Sequence, residues 1–284
     1  MYLSIIPLHH SLDVTPLIYS CPQELESSII RWILVQVPLG KTQEIWIITG
    51  INLQISEISY EIKDIECIIT SIPVLPSYIL DCIPCISHYY IVPIHRILQL
   101  FLPKSIFSYL AKNNFTDIQN GSTHPGKPSE KYLYHYRSTW VSHQDIISHI
   151  HDSGTIIIFP DDFFLNHFIE TCWISKESYN VFSTEMTPTK KRKLYIEMYH
   201  GKKKIILWTR RVLYYNLSNY RRIIYVEDAF QKEAYQIPMR YSYLHLLEHF
   251  ALFWSFDIHI LSSTPSIELF VKALQGNFQL KSIW

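Results

Sequence analysis

The stretch from Lys190 to Arg222 combines basic and aromatic side chains in a way that suits nucleic acid. It holds 11 lysines and arginines but a single acid, Glu197. Cations neutralise backbone phosphates, and aromatic rings stack on unpaired bases. A run of charge is more often a solvated surface, and aromatic residues often belong to a core, so both interpretations stay open. The aromatic residues of this stretch are Tyr195, Tyr199, Trp208, Tyr214, Tyr215 and Tyr220.

Acidic and hydroxyl side chains follow two apolar segments that have the composition of buried strands. Glu227 and Asp228 follow Arg222–Val226, and the tetrapeptide at 262–265, Ser-Ser-Thr-Pro, follows Ile258–Leu261. Parallel α/β sheets bind ligands at the carboxyl ends of their strands. The acid pair could therefore hold a magnesium-bound water, and the alternative is a polar strand end without a ligand.

The cysteines and histidines do not form a recognisable metal motif. Cys82 and Cys85 make one CxxC, but no second pair exists, and a structural zinc site needs four ligands. The fourteen histidines include no HExxH. Five scattered cysteines favour reduced thiols in a cytoplasmic protein. We therefore expect no metal site and two thiols on one helix.

The first part of the chain predicts a small β-rich unit. Short β segments are expected at Arg31–Val37, Ile45–Ile51 and Tyr60–Thr70, followed by a helix at Pro76–Tyr90. Residues 1–103 carry 4 basic and 9 acidic side chains, a net charge of −5. The composition just beyond predicts a linker over residues 104–129, because it is rich in Asn, Gly, Ser, Pro and Lys.

The second part predicts a parallel sheet. Apolar strands alternate with helical stretches from residue 130 to residue 284, which is the pattern of an α/β fold with buried strands. The strands are expected at Thr155–Phe159, Lys204–Trp208, Arg222–Val226 and Ile258–Leu261, and the helices at Ser142–His151 and Asp162–Cys172. The residues from 104 onwards carry a net charge of +5, from 21 basic and 16 acidic side chains.

Nothing in the sequence predicts a membrane segment or a signal peptide. The longest apolar tract, Ser77–Leu102, is interrupted by charged residues and prolines. The N-terminal residues lack a basic region before their apolar stretch. We expect a cytoplasmic protein without a membrane partner.

The first unit resembles the PriA family of replication-restart DNA helicases, also called primosomal protein N′. VQVPLGK, at Val35–Lys41, is similar to the family's V-x-V-P-F-G-K turn, and EIKDIECII, at Glu61–Ile69, to the strand that follows it. HYYIVPIHRILQLFLP, at His88–Pro103, is similar to Y-Y-x-x-P-x-G-x-V-x-x-x-x-L-P. The resemblance implies that residues 1–103 form the three-prime DNA-binding domain.

The second unit resembles the first lobe of the same family's motor in degenerate form. Four segments are similar to family motifs in order and spacing: IIIFPDDFFLN, IILWTRRVLYYNL, RIIYVED and ILSSTPSIELFVKALQGNF. The resemblance implies a RecA-like α/β parallel-sheet lobe over residues 130–284. The winged-helix domain, the eight-cysteine zinc module, the second lobe and the C-terminal domain of the family have no counterpart in this sequence.

The resemblance also implies a nucleotide site, and its phosphate loop is not preserved. Spacing counted back from Pro160 places that loop at Tyr132–Ser138, with Arg137 at the lysine position and Ser138 at the threonine position. Tyr134 and Tyr136 replace the flanking glycines, whose N–H groups would cradle phosphate. Glu227 and Asp228 complete this degenerate site. We expect no cofactor, no catalytic residue and no ATP hydrolysis.

The DNA-contacting residues are carried over from the family motifs and from the basic stretch. In the first unit they are Tyr19, Gly40, Lys41 and Lys63. Ile18 replaces the family's acid and cannot accept a hydrogen bond from a terminal hydroxyl, so end-specific recognition is expected to be weak. In the second unit the candidate DNA-contacting residues are Lys202, Lys203, Lys204, Thr209, Arg210 and Arg211.

Three functions fit these observations. The first is a DNA-binding protein of the PriA type with an inactive motor lobe, whose partners are DNA and other replication-restart proteins. The second is an ATP-dependent helicase subunit completed by a second chain. The third is a protein-interaction scaffold that has also lost DNA binding, and the acidic first unit agrees with it because an acidic surface repels phosphate.

Overall fold

The computed structural model describes residues 1–8, 16–54, 60–112, 129–138, 141–150, 154–172, 174–182, 186–199, 205–209, 217, 219–227, 234–236, 239–241 and 243–283. The chain divides into two compact units, residues 1–118 and 119–284. The candidate residues Lys202, Lys203, Lys204, Arg210, Arg211 and Asp228 lie outside the described residues.

Unit 1 is built on a five-stranded antiparallel sheet with the strand order β2-β1-β4-β3-β5. Its core is formed by alternate side chains of the inner strands, among them Leu3, Val35 and Ile48. The strands are β1 Tyr2–Ile6, β2 Leu17–Ser20, β3 Leu34–Leu39, β4 Thr42–Ile51 and β5 Cys67–Ile68. The β segment expected at Tyr60–Thr70 thus contains only a two-residue strand.

Three helices follow the sheet in unit 1: α1 Ser77–Tyr90, α2 Ile94–Phe101 and α3 Lys104–Lys112. Helix α3 lies within the segment that we assigned to the linker, and that part of the assignment was wrong. Pro103 begins this helix, because its carbonyl accepts the N–H groups of Ile106 and Phe107. Ile106 and Leu110 are buried one turn apart, so burial of an apolar face overrides the linker-like composition.

Unit 2 is built on a seven-stranded parallel sheet with the order β14-β6-β13-β10-β7-β9-β8. This topology confirms the predicted fold class of an α/β protein: a small β-rich unit followed by a RecA-like parallel-sheet lobe. The strands are β6 Lys131–Tyr136, β7 Thr155–Phe159, β8 Tyr179–Phe182, β9 Ile205–Thr209, β10 Arg222–Val226, β13 Asp257–Ser262 and β14 Gln279–Ile283. A short antiparallel pair, β11 Ala234–Gln236 and β12 Met239–Tyr241, stands apart from this sheet.

Among the described residues, five helices accompany this sheet: α4 His143–Ser148, α5 Asp162–Thr171, α6 Pro188–Tyr199, α7 Tyr243–Phe253 and α8 Ile267–Leu274. One core cluster contains side chains from both helices and from the sheet. The helices contribute Ile146 of α4 and Leu165 and Phe168 of α5. The strands contribute the alternating side chains Ile157 and Phe159 of β7 and Ile224 and Val226 of β10. Helices α4 and α5 therefore cover one face of the sheet. Both begin at the carboxyl edge, where the candidate nucleotide residues lie.

The C-terminal end of α1 carries a strained residue. Ile91 has φ 53° and ψ 44°, in the left-handed region that β-branched side chains rarely adopt, and its side chain is 91% exposed. The N–H of Val92 donates to the Ser87 carbonyl, which closes the helix in the way that usually employs glycine. Position 91 therefore costs stability without contributing burial.

We predict that Ile91→Gly increases the free energy of unfolding of unit 1 by about 1 kcal/mol, because it removes the left-handed strain. The measurement is the urea concentration at the midpoint of unfolding, which is monitored in the full chain with probes located in unit 1. Ile91→Val is the control, since it keeps the β-branch and should leave the midpoint unchanged. A loss of stability in the glycine variant would contradict the prediction.

Candidate functional site

The turn between β3 and β4 presents a cation at the tip of a hairpin. Leu39 pairs with Thr42, so Gly40 and Lys41 form a two-residue connection. Gly40 has φ 61°, which suits the first position of such a turn, and a Cβ built there meets no atom within 4 Å. Both residues are exposed. The hairpin tip therefore offers an open backbone and the Lys41 ammonium to a ligand.

Tyr19 lies in the core of unit 1, which differs from the prediction that it contacts DNA. Its side chain is 5% exposed and packs edge-on against Trp46, with ring centroids 6.0 Å apart. Its hydroxyl donates to the Pro38 carbonyl over 3.1 Å, and burial raises the pKa of the phenol. Tyr19 thus ties strand β2 to the end of β3 and supports the hairpin from within.

Lys63 lies beside the edge strand β2. The Ser20 N–H donates to the Lys63 carbonyl over 2.9 Å, and the Ile65 N–H donates back to Ser20 over 3.0 Å. The Lys63 side chain is exposed. The structure therefore places Lys63 next to the strand that carries Ile18 and Tyr19.

Two further groups at this strand had no signal in the sequence. The Tyr60 hydroxyl accepts the Ile18 N–H over 2.7 Å, and the Ser20 hydroxyl donates to the Asp64 carboxylate. Each partner lies more than 40 residues away in the chain, so only the folded sheet brings them together. They leave an exposed phenol and an exposed carboxylate close to Lys63.

In unit 2, Glu227 is the centre of a hydrogen-bonded cluster at the carboxyl edge of the sheet. Its side chain is only 1% exposed. One carboxylate oxygen accepts the Val141 N–H over 2.8 Å. The other accepts the Ser263 N–H over 3.1 Å and the hydroxyls of Ser262 and Ser263 over 3.3 and 3.2 Å. The carboxylate is thus satisfied by the segment before α4 and the end of β13.

The backbone of Glu227 is also held in an unusual conformation. Its φ is 51°, in the left-handed region, and its N–H donates to the Leu261 carbonyl over 2.8 Å. Such a conformation persists where the surroundings over-determine it. Here the side chain is anchored by the segment before α4 and by the end of β13, which fixes the end of β10.

The segment aligned with a phosphate loop is a β-strand, so the counted register was wrong. Strand β6 runs through Tyr136, and Tyr134 and Tyr136 belong to the core between the sheet and helix α4. The two rings therefore do not occupy phosphate space. The Tyr134 ring lies 4.2 Å from the His149 ring, and the Tyr136 hydroxyl lies 3.2 Å from His149 Nε2.

The connection that follows β6 lacks the features of a phosphate loop. Arg137 and Ser138 are exposed just after the strand. No glycine occurs between Gly126 and Gly154, whereas a phosphate loop needs several positions without a side chain. A register shift in either direction therefore finds no glycine-rich segment between β6 and α4.

Three N–H groups at the start of α4, those of Val141, Ser142 and Asp145, are donated to side chains of the chain. Ser142 and Asp145 form a capping box, in which the Ser142 N–H donates to Asp145 and the Asp145 N–H donates to the Ser142 hydroxyl. The preceding N–H, that of Val141, donates to Glu227. A phosphate bound here would have to displace two carboxylates.

Thr209, another candidate DNA contact, is buried at the end of β9. Its hydroxyl lies 3.5 Å from an oxygen of Asp162, the first residue of α5. Asp161 caps the same helix by accepting the Phe164 N–H over 3.0 Å. The described edge of the sheet between β7 and β9 is therefore acidic, and Thr209 serves the contact between strand and helix.

Among the described cations of the basic stretch, Lys190, Lys191, Arg192 and Lys193 lie in the first half of helix α6, and Arg221 and Arg222 lie at the start of β10. Lys190, Arg192 and Lys193 are exposed, and Lys191 is half-buried. Tyr195 and Met198 bury the opposite face. No acidic residue lies in the first turn. The aromatic Tyr195 is thus a core residue, while the cations of α6 face solvent.

Other predicted features can be checked against the described residues. Cys82 is fully buried on α1, and burial raises the pKa of its thiol to about 12, whereas Cys85 is exposed. Within the described ranges, no group of three or more His, Cys, Asp or Glu side chains is placed to hold a metal ion. No helix among these residues is long and apolar enough to cross a bilayer.

The three comparisons with known proteins bear mainly on unit 1. Residues 5–103 match the family model of the 3′DNA-binding domain (3′BD) of PriA. This match supports a PriA-type N-terminal domain and DNA as its partner. The search of curated proteins returned no match.

Among solved structures, one similar chain is the C-terminal domain of a variant of S. cerevisiae Dbp5, determined with Gle1 and IP6. The identity is 9% and the TM-score 0.36, over 55% of this chain and 89% of that one.

We predict that Glu227→Ala lowers the free energy of unfolding of unit 2 by about 3 kcal/mol or more, because it leaves buried N–H groups of Val141 and Ser263 without an acceptor. Glu227→Gln should cost less, since it keeps one acceptor oxygen. Chemical denaturation followed by circular dichroism measures both.

The matched control is Glu170→Ala, which removes an exposed carboxylate from α5 and should change stability by less than about 0.5 kcal/mol. Equal stability of Glu227→Ala and the parent chain would show that the cluster around Glu227 does not hold the sheet edge together.

Proposed function

We propose that this chain is a DNA-binding protein of the PriA type that acts in replication restart, with a second lobe that has lost its ATP site. The observation that carries the DNA-binding part is the match of residues 5–103 to the PriA 3′DNA-binding domain. The observation that carries the inactive lobe is the internal use of Glu227 by Val141, Ser262 and Ser263.

The proposed DNA surface of unit 1 is formed by the hairpin tip and the side of β2. Gly40 allows close approach of a backbone, and Lys41 and Lys63 supply charge. Ile18 offers no acceptor for a terminal hydroxyl, and its N–H is already donated to Tyr60. The proposal is therefore general contact with DNA and not selection of a free three-prime end.

The proposed DNA surface of unit 2 begins with the exposed cations of α6, which are Lys190, Arg192 and Lys193. Five further members of the basic stretch, Lys202, Lys203, Lys204, Arg210 and Arg211, lie outside the described residues, and their contact with DNA is part of the proposal. Their contribution is electrostatic, so it should fall with salt and should not depend on base sequence.

We predict that Lys190→Gln, Arg192→Gln and Lys193→Gln combined weaken DNA binding and reduce the salt dependence. If each contacts a phosphate of single-stranded DNA, the slope of log K against log salt should fall in magnitude by about 2. Fluorescence anisotropy with two unrelated oligonucleotides at several salt concentrations measures affinity and sequence preference together.

Lys176→Gln is the control, because Lys176 is an exposed lysine outside the basic stretch and its loss should leave the slope unchanged. A triple variant that binds with the parent's slope would show that the α6 cations form only a solvated surface. Absence of DNA binding by the parent at low salt would overturn the proposed function itself.

We predict that the chain neither binds nor hydrolyses ATP. Phosphoryl transfer depends on positioning and charge neutralisation, and the loss of a single such element costs about 10²–10⁵ in rate. Here the glycine loop is absent and the start of α4 is occupied by Glu227 and Asp145. Calorimetric titration with ATP and Mg²⁺, together with a DNA-stimulated phosphate-release assay, tests both parts.

Micromolar ATP binding with turnover that Glu227→Gln abolishes would contradict this prediction. It would favour the helicase subunit completed by a second chain, because Glu227 would then have to leave its partners and face a nucleotide.

The interaction scaffold is a second candidate that one observation favours. Ile267, Val271 and Leu274 form an exposed apolar stripe on one side of α8. Exposed apolar stripes of this kind mark contact surfaces for other proteins. Weak or absent DNA binding, with intact folding of both units, would make the scaffold the better description.

A further inference from the structure

Two histidines face each other across helices α4 and α5, apart from the Glu227 cluster. His143 is the first residue of α4, and His167 lies in the middle of α5. Their ring centroids are 4.7 Å apart with planes at 65°. His143 also contacts the Phe168 ring at 5.5 Å, and the exposed Phe163 ring stacks on His167 at 6.3 Å. Both imidazoles are therefore held by neighbouring side chains.

The hydrogen bonds of Thr171 determine which nitrogen of His143 carries the proton. The Thr171 hydroxyl donates its one hydrogen to the His167 carbonyl over 2.7 Å. The 2.7 Å contact between the same oxygen and His143 Nδ1 must then have the imidazole as donor. Neutral His143 thus carries its proton on Nδ1, and Nε2 keeps an unprotonated lone pair.

This arrangement is the one that orients a metal-binding imidazole. Histidine ligands usually donate their second ring nitrogen to an oxygen, which fixes both the tautomer and the ring orientation. Thr171 supplies that oxygen to His143 and holds the backbone of His167 at the same time. One hydroxyl therefore couples the two candidate ligands.

The separation of the rings is close to the value that a shared metal requires. With metal–nitrogen bonds of about 2.0–2.1 Å and a tetrahedral angle, two imidazole centroids should lie about 5 Å apart. The observed separation of 4.7 Å is close to this value, and His167 is exposed, so its ring has room to turn a nitrogen toward a shared ion. Ions that accept imidazole ligands include Zn²⁺, Ni²⁺ and Cu²⁺.

We propose that His143 and His167 form a two-histidine site for a divalent transition-metal ion, with Thr171 as the orienting residue and solvent completing the coordination. The described residues place no third His, Cys, Asp or Glu side chain in this group, so the site is open and its affinity modest. A bound ion would clamp the start of α4 to α5. This inference is independent of the proposed DNA-binding function.

The test uses the full chain and Ni²⁺, because imidazole is a more suitable ligand for Ni²⁺ than thiolate is. The adjacent histidines at positions 9 and 10 are replaced by Ala in the parent, which removes a competing pair. Isothermal calorimetry should detect a site with a micromolar dissociation constant that depends on His143 and His167. His143→Gln and His167→Gln should each weaken binding at least tenfold, and Thr171→Val should weaken it by about 10–100-fold.

A second readout is the unfolding temperature of unit 2, which saturating Ni²⁺ should raise in the parent but not in His167→Gln. His88→Gln, at an exposed histidine of unit 1, is the matched control and should bind like the parent. His167 is exposed, so its variant keeps the fold. Unchanged binding in both histidine variants would overturn the site, and unchanged binding in Thr171→Val would overturn the orienting role.

Discussion

The buried carboxylate of Glu227 is the interaction on which the second lobe depends. A buried charge is costly unless hydrogen-bond donors surround it, and here two N–H groups and two hydroxyls do so. The donors come from the segment before α4 and from the end of β13. One side chain therefore fixes the carboxyl edge of the sheet and the starting point of a helix, and it also holds its own backbone at φ 51°.

The same interaction satisfies backbone donors at the edge where the family resemblance expects a phosphate loop. In a nucleotide-binding lobe, phosphate satisfies the N–H groups between the first strand and the following helix. In this chain Glu227 and Asp145 are the anions that meet those N–H groups. The internal carboxylates are permanent, whereas a nucleotide binds and leaves. The N–H groups of Val141 and Ser142 thus have acceptors without a ligand, which is the physical basis for proposing that the ATP site is lost.

The sequence predicts the elements that are simple apolar runs and misses those defined by distant partners. Thr155–Phe159 and Arg222–Val226 have the predicted bounds because a buried parallel strand is apolar throughout. Strand β6 overlaps the segment Tyr132–Ser138 that was predicted as a loop, because that prediction came from spacing counted back from Pro160 and not from a local pattern. Helix α3 was not predicted, because Pro103 was interpreted as the end of an apolar tract, although a proline can also begin a helix.

The candidate site was predicted less well than the fold for the same reason. Glu227 was identified as a polar strand end, but its partners lie 36 and 86 residues away, and no local pattern shows which donors will reach it. Tyr19 was expected on the DNA surface, and only the position of Pro38 and Trp46 shows that it is a core residue. Gly40 and Lys41 lie in the predicted turn because a tight hairpin turn is itself a local pattern, and their contact with DNA stays a prediction.

The distribution of charge indicates how the two units would share DNA under the proposed function. Unit 1 has few cations among many acids, so its contacts must come from the hairpin tip and the β2 side, where Lys41 and Lys63 are exposed. Most of the electrostatic attraction must then come from unit 2. Its exposed cations at the start of α6 lie at the positive end of the helix dipole. Each cation at this end lowers the free energy of unfolding by about 0.3–1 kcal/mol. A bound phosphate would relieve that cost and gain from the helix end as well, so these residues favour an anionic partner over a neutral one.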